Sequence, residues 1–290
     1  MIRIVHAPSA TIAATVAASI TVEAEYGSIV AEGSVYTAAH HQRTGPFAGR
    51  HIVAGGRPSP CNDDAIPTIE AGTILVSHFD LDTLGGVLRA MGVCPVAKSF
   101  WDLAEFIDVN GPHKIALSGA SDADIARIRA FWAWSQTNRA LWPRDAAMDI
   151  TEYVSNAAQA LARILSDDPA MLAAGQAMVA REAALNAATF VGINNGVIVR
   201  KADAFVNHLY CAPGEATPAK AVVTHNSKTG AITVSFADAV PGVTARAIVQ
   251  GLWGMEAGGH DGIAASPRER LMTDADLADA VAATVAALNG

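Results

Sequence analysis

Cysteine is scarce in this chain: Cys61, Cys94 and Cys211 are odd in number and scattered. They make neither a disulfide framework nor a zinc pattern, which favours a reducing cytoplasm. Long apolar runs are missing too. No stretch approaches the ~18 uninterrupted apolar residues of a spanning helix, so no membrane partner is expected. Positive charge is also in deficit. Against 28 Asp and Glu stand 20 Lys and Arg, a formal charge of −8, which argues against a broad phosphate-binding surface and against long nucleic acids as partners. A small phosphorylated ligand remains compatible, because a bound divalent ion reverses the local field. Repeats and low-complexity tracts are absent.

What is present is apolar and compact. Hydrophobic residues make up 51% of the 290 and charged residues 17%, the balance of a globular protein with one large or two modest domains. Arg3 followed by the run from Ala10 to Ile20 loosely imitates a signal peptide, but Ile2-Arg3-Ile4-Val5 reads better as a first strand.

The first half alternates short apolar runs with helical patterns. Ile74-Leu75-Val76 reads as a buried strand, followed by Leu84, Val87, Leu88 and Met91 at helical spacing. Ile107-Asp108 reads as a strand end before the turn residues Val109-Asn110-Gly111-Pro112. Ser121 with Asp124 signals a helix start. Residues 151–189 read as a helical connector, capped by Asp149 and Glu152 and broken at Asp167-Asp168-Pro169. Beyond it come three strand patterns, around Val197, Ala221 and Ile232, with a hairpin at Ser227–Gly230. A last helix starts at Thr273. The predicted fold class is α/β: a parallel-sheet N-terminal domain with flanking helices (1–150), the connector (151–189), and a smaller α/β C-terminal domain (190–290).

The chemistry-bearing stretch is Ser77-His78-Phe79-Asp80-Leu81-Asp82-Thr83-Leu84-Gly85-Gly86. A buried strand delivers it to the sheet's carboxyl end, where α/β proteins bind ligands. Alternate residues of an extended segment point the same way, so His78, Asp80 and Asp82 can converge on one point. One imidazole and two carboxylates suit manganese, with magnesium or cobalt as alternatives, better than structural zinc. Gly85 and Gly86 would leave the helix N-terminus open to an anion. The plainer alternative is that the aspartates cap a helix and His78 packs against them. A second glycine-rich stretch, Gly258-Gly259-His260, would let a ligand approach the backbone closely.

The first stretch resembles the opening motif of the DHH phosphoesterase superfamily, and Gly258-Gly259-His260 is similar to the motif of the C-terminal domain that accompanies it. Two short motifs in the right order implicate residues 70 to 290. The resemblance implies a metal-dependent phosphohydrolase in two domains, with catalytic manganese on His78, Asp80 and Asp82. Asp108 would be the bridging aspartate, and Asp82, Asp108 and His260 the catalytic residues. Gly258, Gly259 and His260 would hold the substrate phosphate across an interdomain cleft. The substrate would be a nucleotide, short oligonucleotide or sugar phosphate.

One departure stands out: no Asp-His-His triplet follows Asp82. The paired histidines lie upstream, in Ala38-Ala39-His40-His41-Gln42-Arg43, with alanine in the aspartate's place. His40 and His41 could complete the metal site and Arg43 meet a phosphate; a polar surface loop accounts for them equally well. With Ala39 there, the alternative function is a catalytically degenerate member that binds a nucleotide or other anion without turnover. Oligomeric state stays open, a homodimer included.

Overall fold

A computed structural model describes residues 1–22, 33–38 and 59–290. The chain is α/β and forms two compact units, residues 1–111 with 120–178, and residues 112–119 with 179–290.

The first unit contains β1 (Ile2–His6), α1 (Ala10–Ala13), β2 (Ile20–Val22), β3 (Tyr36–Ala38), β4 (Gly72–Val76), α2 (Leu81–Ala90), α3 (Lys98–Asn110), α4 (Asp122–Thr137), β5 (Met148–Asp149) and α5 (Thr151–Leu165). Helix α6 (Pro169–Thr189) begins in this unit and runs on into the second. The strand order is β3-β2-β4-β1-β5, parallel from β3 to β1, with β5 antiparallel at the edge. Strands covered on both faces are apolar without alternation, and Ile74, Leu75 and Val76 of β4 are each 0% exposed. Because the strands are parallel, the chain leaves β1 at His6 and β4 at Val76 on the same edge, those two residues being register partners.

Helix α2 lies against the short 3-10 turn Pro60–Asn62 at very close range. A Cβ on Gly85 would sit 2.4 Å from the Cβ of Cys61, and one on Gly86 2.6 Å from the Cβ of Pro60. These glycines lie inside the helix and permit packing. They do not open its N-terminus to an anion, as the sequence reading expects.

A second expectation also changes. No strand ends at Ile107-Asp108. Residues 98–110 form α3, because Phe100, Trp101, Leu103 and Ala104 make one buried face at helical spacing. Gly111, at φ 89°, closes the helix with its amide on the Ile107 carbonyl.

Other signals appear as read. Ser121 accepts from the Asp124 amide at the start of α4. Asp149 reaches α5 from just outside, its Oδ1 accepting from the Thr151 amide and hydroxyl at 3.0 and 2.6 Å. Pro169 opens α6, where Asp168 accepts from the amides of Ala170 and Met171.

The second unit contains β6 (Phe190–Asn194), β7 (Val197–Ala202), β8 (Ala221–Asn226), β9 (Ala231–Phe236), α7 (Ala245–Trp253), β10 (Gly258–Gly259), β11 (Ile263–Ala265) and α8 (Asp274–Asn289). Its sheet order is β10-β11-β9-β8-β7-β6, antiparallel except for β7 beside β8. One sheet face buries Val223, Ile232 and Val234 against Val249 of α7 and Leu277 and Val281 of α8. On α8, Thr273 and Asp276 form a reciprocal capping box. The sheet also buries Ile198 and Val222 in a separate cluster with Tyr210 and Ala212. The short segment 112–119 joins this unit: His113 packs 4.7 Å from the Tyr210 ring, and Lys114 pairs with Asp238.

Arg200 on β7 is fully buried. Its guanidinium donates to the carbonyls of Asn186, Leu209 and Cys211, to Thr189 Oγ1 and to Asn186 Oδ1, at 2.7 to 3.1 Å. Burial lowers its pKa to about 10, which still leaves it charged at neutral pH. Among the described residues no helix is long and apolar enough to cross a membrane.

Two glycines inside helices should respond to alanine with opposite signs. Gly85→Ala forces Cβ into Cys61 and should lower stability by about 1–3 kcal/mol, a typical overpacking cost. Gly251 on α7 is exposed, and a Cβ there would meet nothing within 4 Å. Gly251→Ala should therefore add about 0.5–1 kcal/mol through helix propensity. Urea denaturation of the two variants checks both signs.

Candidate functional site

The carboxyl edge of the first sheet carries the motif residues. The chain leaves β4, bends at Ser77 and His78, and enters α2 after Asp80. That carboxylate is the helix cap: its Oδ1 accepts from the Thr83 amide at 2.8 Å. The other oxygen, Oδ2, lies 3.3 Å from His78 Nε2, and Ser77 Oγ lies 3.0 Å from His78 Nδ1. Partial burial works against the charge on Asp80, but the His78 contact and the Thr83 amide prevail and hold the carboxyl below its usual range. Asp108, in the last turn of α3, pushes the other way, so two carboxylates share one electrostatic environment.

Asp82 does not follow the alternation expected of it. The helix begins at Leu81, so Asp82 falls in the first helical turn and points elsewhere. It is 2% exposed, and its Oδ1 accepts from the Cys61 amide at 2.8 Å. The structure thus joins His78 to Asp80 and sets Asp108 within electrostatic reach, while Asp82 ties α2 to the Pro60–Asn62 turn. Among the described residues no three or more His, Cys, Asp or Glu side chains are grouped to hold a metal ion. His40, His41 and Arg43, with Ala39, lie outside the described residues.

Two neighbours escaped the sequence reading. His6 ends β1 beside β4, only 6% exposed, and feels the charge of His78. Burial lowers its pKa, offset in part by a hydrogen bond to the Ser77 backbone. Its ring lies 4.7 Å from that of Trp142, which with Phe79 and Tyr153 builds an aromatic cluster beside the motif. The available signal for His6 was its place at the end of the first apolar strand. Trp142 sits in a loop and left none.

In the second unit, Gly258-Gly259 is strand β10, paired with Ala265 and Ala264 of β11. At Gly259, φ +152°, a Cβ would stand 2.5 Å from the Ile263 carbonyl oxygen. What approaches that backbone closely is the neighbouring strand, so Gly259 is required by packing. Gly258 has open space where its Cβ would be and borders a pocket of about 350 Å³. His260 is exposed just beyond, with its backbone amide held by the Ile263 carbonyl at 2.7 Å.

Comparison with protein-family models, with curated proteins and with solved structures finds no match.

Asp80 makes a testable contribution to acid stability. Its folded pKa lies below its unfolded value of about 3.9. The stabilisation is therefore complete above that pH and is lost as the pH falls through the folded pKa. Asparagine caps helices well, so Asp80→Asn should keep most stability at pH 7 and flatten the acid limb. Thermal midpoints from pH 7 down to pH 2 for both proteins would show it.

Proposed function

We propose that this chain is a divalent-cation-dependent phosphoesterase for a small phosphorylated substrate, working at the carboxyl edge of the first unit's parallel sheet. The observation that carries the reading is Asp80 at a helix start on that edge, its Oδ2 3.3 Å from the His78 imidazole. Mixed imidazole and carboxylate donors suit manganese, magnesium or cobalt.

The described residues alone do not make a complete metal site. His40 and His41 are the proposed source of further ligands. Asp82 would join only by giving up the Cys61 amide. What the described residues do by themselves is more limited. Asp80 holds negative charge at the site, and His78, between Ser77 and Asp80, can accept or release a proton at the sheet edge. Nucleotides, short oligonucleotides and sugar phosphates fit the acidic chain better than long polymers.

A second reading, binding of a phosphorylated ligand without turnover, is favoured by Ala39, an alanine where the resembled triplet has aspartate. One calorimetric series separates the two. Metal-stripped wild type should bind Mn²⁺ saturably, Asp80→Asn with Asp108→Asn should abolish it, and loaded protein should release phosphate from a mixed substrate panel. Saturable ligand binding without phosphate release would favour the second reading. Absence of saturable Mn²⁺ binding by wild type would overturn the metal mechanism.

A further inference from the structure

The pocket of about 350 Å³ in the second unit is built from unusual materials. Its sheet surface is formed by Ala231 and Thr233 on β9, Gly258 on β10, and Ile263 and Ala265 on β11. Large side chains of the same strands, Ile232 and Val234, are buried in the core cluster with α7 and α8. The result is a largely apolar surface. One wall is the loop after β7, which presents Phe205 and Asn207. Phe205 is 65% exposed, its ring stacked on His208 at 15° and 6.0 Å.

Asn207 is the informative residue. It is 6% exposed, yet its carboxamide makes no hydrogen bond among the described residues. Its amide atoms are not among the buried polar atoms that lack a partner, so they keep contact with solvent, and the residue lines the pocket. The neighbouring Asn226 shows the contrast. Its Oδ1 accepts from the amides of Lys228 and Thr229, and its Nδ2 donates to the Ala204 carbonyl, so it belongs to the turn.

The loop carrying Asn207 is held at both ends. Asn226 fixes Ala204, and Arg200 fixes Leu209 and Cys211. Val206, 0% exposed between them, anchors the middle. The backbone on both sides of Asn207 is thus held before any ligand arrives.

We infer that this pocket is a binding site for a nucleobase, with adenine the best match. A carboxamide offers one donor and one acceptor side by side, which pair with the N7 acceptor and N6 donor of adenine. The exposed Phe205 ring beside a largely apolar surface supplies stacking, and the volume lies within the range of small-ligand sites. The inference deepens the proposed function by naming the part of a nucleotide that the second unit recognises. It rests on residues of that unit alone, so the two readings can fail separately.

The test is a calorimetric or NMR titration of the full chain with adenosine, which carries no phosphate, beside uridine and inorganic phosphate. Adenosine should bind saturably and more tightly than uridine. Asn207→Leu should weaken adenosine by about tenfold or more, the scale of a lost two-point base contact, and Phe205→Ala should weaken it as well. Asn207→Leu should leave the thermal midpoint unchanged or raised, because an unpartnered amide holds nothing in the folded state. A drop in midpoint with unchanged adenosine affinity would make Asn207 structural and overturn the inference, as would equal binding of uridine or a response to phosphate alone. Asp80→Asn should not affect adenosine. Mn²⁺ binding without adenosine binding would remove this site and leave the proposed function standing; the converse would do the opposite.

Discussion

A positive charge buried without a carboxylate partner organises the second unit. Carrying a guanidinium out of water is costly unless every N–H finds an acceptor. Arg200 finds its acceptors in backbone carbonyls and neutral side chains from three places in the chain: the end of α6, the loop after β7, and Cys211 beyond it. None of these can move far without orphaning part of the guanidinium, and the Phe190 ring lies 5.9 Å away as a further favourable neighbour. A rigid loop is what a preformed pocket requires. The fold of this unit and its candidate binding wall are therefore two results of the same constraint.

The first unit is organised differently, by close approach. Asp82 reaches from the first turn of α2 to the Cys61 amide, and Gly85 and Gly86 let the helix settle on the turn that contains Cys61. Burial, reinforced by the Asp82 charge, raises the Cys61 thiol well above its ordinary range. This packing fixes the direction in which α2 leaves the sheet edge. It thereby sets where its cap, Asp80, meets His78.

Much of this was legible in local patterns. The unbroken apolar run of β4, the proline opening α6 and the Thr273 box were readable because each depends on residues within a few positions of one another. Strand alternation predicts His78 beside Asp80, but it does not carry into the helix. Asp82 was misjudged for that reason: one turn of helix changes the period from two to 3.6 residues. Asp108 was read as a strand end from its turn-forming neighbours, when the buried face of Phe100, Trp101 and Leu103 decides for helix. Gly85, Arg200 and Asn207 left no local signature. Their meaning lies in partners 9 to 24 positions away, or in the lack of any, and single-sequence patterns do not carry such pairings.

The segment 112–119 belongs with the second unit although 59 residues of the first, 120–178, follow it before that unit resumes. Neither unit is one continuous length of chain. During synthesis His113 and Lys114 emerge long before Tyr210 and Asp238, their eventual neighbours, so the second unit cannot close around them until the chain has been made at least through Asp238. A dissection at the middle of α6 would yield a C-terminal fragment lacking those side chains, with the Tyr210 ring stripped of one wall. The two units are distinct as packed bodies, but as heritable pieces of polypeptide they are interlaced, and a simple fusion of two ready-made modules would not produce this order.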